Sequence, residues 1–409
     1  LTMKLFFSKE KILSFWMNFG IAMFSTIAFL FLLEVGARSL SLLKKENNNS
    51  LRTKNNWNLI AIPPEEKPNS LAYQGEESWS YSFIKELKEK TNKSEFGLRY
   101  EPFSLWKHRP FETNFLKYKK NGYRNTINPK LNEKCFSSEK IYFYGGSTIA
   151  GDGLLRDQDL IPSIVSSQLA LNGKCAEIKN WAQSGFNSGN EFTLFLNQLI
   201  NGNIPDIAIF YDGFNDAIHK GLFNKPHMAY DVYKNVWINS KKRLHTRIAE
   251  AFIRRSYFAT NVKNILYRNS NNNNLEEQST TPIIKERSKR AAINYLVKSQ
   301  NLKEICEKFN IKCLFILQPT LYNKTTISIE EKEILNKTDL DFKIALNQFY
   351  SVIKTNNKKE GKLRDFFVID MTNVFDETKI SLYTDIVHLA PNGNRIIGKE
   401  IANLIKNQL

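Results

Sequence analysis

Ser147, Gly185, Asn215, Asp385 and His388 are the residues of this chain whose types and order suit nucleophilic chemistry. The serine ends the run Lys140-Ile141-Tyr142-Phe143-Tyr144-Gly145-Gly146-Ser147-Thr148, in which β-formers stop at two glycines and a hydroxyl follows where the chain must turn. Asp385 precedes His388 by three residues, so its carboxylate can orient the imidazole within one turn of chain. In acyl transfer a serine attacks the carbonyl carbon and a histidine takes its proton, later giving it to the leaving group. An aspartate fixes the tautomer and stabilises the imidazolium. The developing oxyanion needs donors placed in advance, and the candidates are the backbone N–H groups of Ser147 and Gly185 and the side-chain amide of Asn215. Taken singly, each fragment also reads as an ordinary turn or a chance Asp/His spacing. Asp370 and Asp376 stand as alternative acids.

These residues need elements that bring them to one place. Open α/β sheets gather chemistry in the crevice beyond the carboxyl ends of their strands; Ser147, Gly185 and Asn215 each stand at such an exit, and Asp385 and His388 lie in a loop just ahead of the terminal helix. The first strand leads to Ser147, and a helix over Leu160 to Leu171 follows, with Ile161, Ile164, Val165 and Leu169 on its apolar face. A second strand around Ile178 to Trp181 leads to Gly185, and a helix from Asn190 to Ile200 returns the chain. The apolar run Asp206 to Tyr211 reads as a strand buried on both faces and ends in Asp212-Gly213-Phe214-Asn215-Asp216. After an interruption the alternation resumes with a helix from about Glu286 to Phe309 and the strand Cys313 to Leu317. A helix between about Ile329 and Thr355, the strand Phe366 to Asp370 and a terminal amphipathic helix through Leu404 complete it. Strands alternating with helices predict a parallel sheet covered on both faces.

With Ser147 in Gly145-Gly146-Ser147-Thr148, a glycine block at Gly185, Gly213-Phe214-Asn215-Asp216, and Asp385 to His388, the chain resembles the SGNH, or GDSL-type, serine hydrolase family of esterases and acyltransferases. The four blocks fall in the family's order across about residues 138 to 409. The resemblance implies an α/β fold: a three-layer α/β/α sandwich on a five-stranded parallel sheet of flavodoxin-like order, with the residue roles given above. Gly146 departs from the family, which has Asp there; that Asp is not the acid of the triad. No Gly-x-Ser-x-Gly surrounds Ser147, which argues against the α/β-hydrolase elbow.

The rest of the chain bounds location and partners. Lysine and asparagine are abundant throughout, so the net charge of +17 reads as compositional bias more than as a designed patch. No zinc-type Cys/His spacing, Walker loop or dinucleotide fingerprint occurs, so no metal, cofactor or nucleic acid is expected. Ile12 to Leu33 is free of charge and long enough for a membrane-spanning helix of about 20 residues. It reads as an uncleaved anchor, with a cleavable signal peptide ending near Val35-Gly36-Ala37 as the alternative.

The expected organisation is a tip and anchor over 1–44, a polar spacer over 45–79, a lead-in segment over 80–137 and a catalytic domain over 138–409. Residues 217–284 interrupt that domain with a basic, aromatic-bearing insertion, read either as a cap over the site or as a surface excursion. Cys135 and Cys175 precede neighbouring strands, and Cys306 and Cys313 flank a helix-to-strand turn. Two disulfides in an oxidising compartment are expected, against four buried thiols in a cytosolic domain. The expected protein is thus single-pass in a membrane, with its body periplasmic or at the cell surface. Its partner is an ester-bearing small molecule or an acylated glycan. A non-catalytic binding protein that keeps the fold is the reading from a different class.

Overall fold

The computed structural model describes residues 98–101, 105–129, 139–154, 156–228, 230, 281–357 and 368–406, with parts of 16–35. Residues 1–57 and 231–278 form one unit, and 58–230 with 279–409 form a second. In the first unit, 16–18, 20–25, 28–29 and 31–35 are helical and expose Trp16, Ile21, Phe24, Phe29, Phe31 and Leu32. Among the described residues no helix is long and apolar enough to cross a membrane. The polar spacer, Cys135 and the bulk of the basic insertion lie outside the described residues.

The second unit opens with two antiparallel pairs, β1 (Leu98–Glu101) with β2 (Leu105–His108), and β3 (Phe111–Glu112) with β4 (Lys117–Tyr118). Five parallel strands follow: β5 (Lys140–Gly145), β6 (Glu177–Asn180), β7 (Ile207–Asp212), β8 (Lys312–Leu317) and β9 (Ile369–Asp370). They lie in the order β6-β5-β7-β8-β9. This is the flavodoxin-like arrangement, and its switch point falls beside β5, where the chain reverses its direction of travel across the sheet. Helices among the unit's described residues include α1 (Ser147–Ala150), α2 (Ile161–Leu171), α3 (Ser188–Ile200), α4 (Thr281–Lys308), α5 (Ile329–Lys337), α6 (Leu340–Asn357) and α7 (Pro391–Lys406).

The period of two along the strands sorts the core into two layers. Ile141, Phe143, Ile207, Ile209 and Ile316 share one core with Ile161, Val165 and Leu169 of α2 and Ile397, Ile401 and Ile405 of α7. The alternate residues face the other way. Tyr144 meets Phe195 of α3 edge-on at 5.4 Å, and Phe210 stacks on Phe315 at 5.2 Å. On that side Tyr295 of α4 also meets Phe349 of α6 at 5.9 Å. Each such side chain contributes roughly 1.5 to 3 kcal/mol on burial, so the two layers hold the strand ends in register.

One helix differs from expectation. The segment from Ile329 to Thr355 is two helices, because Thr338 is extended and Asp339 Oδ1 accepts the N–H of Asp341 at 3.0 Å to begin α6 afresh. Cys306 and Cys313 form a disulfide with their Cα atoms 6.2 Å apart. Cys175 is also disulfide-bonded, and Cys135, its expected partner, is outside the described residues.

Candidate active site

Ser147 opens α1 immediately beyond β5. Its N–H is among the first of a helix and has no intrahelical acceptor. The loop from Leu382 to Ala390 closes on itself through Thr384 N–H to His388 O at 2.9 Å and Ala390 N–H to Leu382 O at 2.8 Å. A buried ion pair braces this loop: Lys324 Nζ lies 2.6 Å from Glu331 Oε2 and donates to Ile380 O at 2.8 Å, while Glu331 Oε1 accepts Leu382 N–H at 2.9 Å. The loop thereby brings His388 to a serine 241 positions earlier.

The resulting relay is continuous. The Ser147 hydroxyl donates to His388 Nε2 across 2.7 Å, and His388 Nδ1–H donates to Asp385 Oδ2 across 2.6 Å. Asp385 Oδ1 accepts the backbone N–H groups of His388 at 2.7 Å and Val387 at 2.9 Å. Burial alone would raise the pKa of Asp385. The imidazole and these N–H groups outweigh it and hold the carboxyl well below its usual range. Asp385 therefore stays ionised and selects the tautomer that leaves Nε2 free to accept a proton.

Gly185 has φ +72°, in the left-handed region, and Met228 packs where its side chain would stand, with Sδ 2.8 Å from that position. Asn215 donates one amide hydrogen to Phe186 O at 2.6 Å, which aims the side chain at the Gly185 loop and leaves its second hydrogen. Among the described residues, no hydrogen bond uses the N–H of Ser147 or of Gly185. Gly146 now has a physical reason. A Cβ there would collide with Asn215 Nδ2 and lie 3.0 Å from Phe186 O, so the absence of a side chain lets the serine and asparagine loops touch.

Sequence reasoning gave no role to Asp216, which ties two of these loops together. Its Oδ2 accepts Ser188 N–H at 2.8 Å and its Oδ1 accepts Ser188 Oγ–H at 2.6 Å, so the Asn215 block grips the start of α3. Lys220 at 3.2 Å and Lys298 at 3.4 Å complete the grip, and Lys298 also donates to Ser188 Oγ. Burial opposes ionisation of Asp216, but the two ammonium groups and Ser188 overcome it and push its pKa down. The adjacency of Asp216 to Asn215 was the available signal. The alternative acids are elsewhere: Asp370 bonds Thr372 and Lys354, and Asp376 bonds Thr325.

Behind this grip, Glu191 and Asp212 are buried near each other. Burial and the Asp216 charge push Asp212 up to about 7, and burial with the Asp212 charge pushes Glu191 well up. The folded state then holds a proton that the unfolded chain releases from about pH 4 upward, so this cluster's contribution to stability falls as pH rises from about 4 to about 7. Glu191→Gln removes the Glu191 part of that term, while Asp212, raised by its own burial and by Asp216, keeps its part. The melting temperature of the variant minus that of the wild type should climb between pH 5 and pH 8, and a flat difference would contradict the cause given.

No protein-family model matches the chain, and no curated protein matches it. Solved structures do resemble it. An acetyl xylan esterase, AlAXEase, is 17% identical with a TM-score of 0.36, covering 65% of this chain and 99% of that one. The psychrotrophic esterase EstA from Pseudoalteromonas sp. is 12% identical with a TM-score of 0.31, covering 66% and 98%. The lipase/acylhydrolase from Enterococcus faecalis is 13% identical with a TM-score of 0.32, covering 66% and 97%. The chemistry of the site follows from its own geometry.

Proposed function

We propose that this chain is a membrane-anchored, extracytoplasmic serine hydrolase that cleaves O-acyl esters, such as those of an envelope glycan, through an acyl-serine intermediate. The observation that carries the proposal is the unbroken relay Ser147–His388–Asp385 at 2.7 and 2.6 Å. Ser147 Oγ attacks the ester carbonyl as its proton passes to His388 Nε2, and the carbonyl oxygen becomes an oxyanion between the N–H groups of Ser147 and Gly185 and the amide of Asn215. Collapse expels the alcohol, which takes the proton from His388. Water then repeats the sequence, releasing the acid and restoring the serine.

Exposed apolar side chains on the helical pieces of 16–35 and the disulfide-bonded cysteines support an anchor with the body outside the cytoplasm. A body still shielded from protease once any outer membrane has been removed, as in spheroplasts, would contradict that location. The reaction is tested by assaying the protein on short acyl esters and acetylated glycans beside Ser147→Ala, with acceptor glycan present and absent. Ester cleavage that needs Ser147 is the expected result. Acyl transfer exceeding hydrolysis would make the protein an acyltransferase, and no Ser147-dependent turnover would favour a binding protein.

A further inference from the structure

Trp106 and His108, on the lead-in strand β2, reach the loop that carries Gly185. The Trp106 indole N–H donates to Ser184 O at 2.9 Å, and His108 N–H donates to Gln183 Oε1 at 3.2 Å. From there a chain of side chains runs back to the nucleophile. Ser184 Oγ–H donates to Asp152 Oδ1 at 2.7 Å, so the 3.1 Å contact of His108 with Ser184 must be His108 Nε2–H donating to the same Oγ. Asp152 in turn donates its backbone N–H to Ser147 O at 2.9 Å. All three side chains are buried, and His108 stacks on Tyr118 at 4.1 Å, which fixes its ring.

This chain joins two points that matter to the reaction. One end is bonded to the residue next to Gly185 and the other to Ser147 itself, and the N–H groups of Gly185 and Ser147 must converge on one oxygen. Donors to an oxyanion act through placement, since a group that must reorganise during the reaction contributes little. Burial also raises Asp152 to about 6, against the pull of the His388 imidazole and the Ser184 hydroxyl, so its carboxyl lies within electrostatic reach of the relay.

Resting on the reading of Ser147 as the nucleophile, we infer that His108, Ser184 and Asp152, with Trp106, are positioning residues that set the Gly185 N–H against the Ser147 N–H. The lead-in segment is then part of the active site and is more than a cover for the sheet.

The test compares wild type, Ser184→Ala and Trp106→Phe in the full chain on p-nitrophenyl acetate and on a fluorophosphonate. Ser184→Ala should lower kcat by about tenfold or more with KM within about twofold, and slow fluorophosphonate labelling in parallel. A merely structural role would lower the melting temperature without this split. A smaller fall in kcat, or a loss carried by KM, overturns the inference. If Ser184→Ala does not fold, Trp106→Phe, which removes one N–H and keeps an aromatic ring, decides by the same split. A kcat loss of about threefold or more supports the inference, and a smaller one overturns it. Wild type that takes up no fluorophosphonate removes the nucleophile and this inference together, whereas labelled wild type with an unaffected variant removes only this inference.

Discussion

Asp385→Asn will lower kcat by about four orders of magnitude while leaving the fold intact. The carboxylate does two jobs. Through Oδ2 it accepts His388 Nδ1–H at 2.6 Å, and through Oδ1 it accepts the N–H groups of His388 and Val387, which shape the loop. An asparagine that keeps its oxygen on those two N–H groups must turn its NH₂ toward Nδ1. The imidazole can then bond only with Nδ1 unprotonated, so Nε2 carries the hydrogen and cannot take the proton of Ser147. Circular dichroism and melting should show a folded protein, and active-site titration should show a serine that barely reacts. A mild loss would mean that the site works as a Ser-His dyad, since Asp370 and Asp376 are engaged elsewhere.

Asn215→Ala is the second large effect, a fall in kcat of roughly 100- to 1000-fold with KM little changed, the usual result of losing one oxyanion donor. The hydrogen bond from Asn215 Nδ2 to Phe186 O at 2.6 Å makes the prediction specific. With one hydrogen held there, the amide cannot swing away, and the second hydrogen is placed before substrate arrives. Truncation removes both, and it frees the Gly185 loop from the Asn215 block on one side while Asp216 still holds Ser188 on the other. A ground-state binding role would appear instead as a rise in KM. An unchanged kcat would remove Asn215 from the oxyanion hole.

The middle of the sheet was legible because β5 and β7 are apolar on both faces and stop abruptly at glycine or a polar residue. Lys140 to Gly145 and Ile207 to Asp212 lie in strands at the places their composition indicated, and Ser147 and Asn215 follow their ends directly. Pairing His388 with Asp385 was legible from spacing only beside the Ser147, Gly185 and Asn215 blocks, since three residues suffice to fold the carboxylate onto the ring but also recur by chance. The lead-in segment was not legible, because its strands are two to four residues long and carry no usable period. Its meaning lies in contacts such as Trp106 to Ser184, 78 positions apart, which no local pattern encodes. The break at Thr338 was hidden for the opposite reason: helix-forming residues on both sides mask a short capped turn. Gly146 looked like a lapse from a motif, and only the neighbouring loop shows what a side chain there would strike.

In the proposed reaction Ser147 is a nucleophile activated by His388. The most direct measurement is mass mapping of the protein after exposure to a fluorophosphonate, beside His388→Ala and a heat-unfolded sample. One adduct is expected on the wild type, on the peptide containing Ser147, with fluoride released and the serine proton passed to His388, and none on the variant or the unfolded chain. A folded wild type that stays unlabelled, or a folded His388→Ala variant labelled as fast as the wild type, would contradict that role.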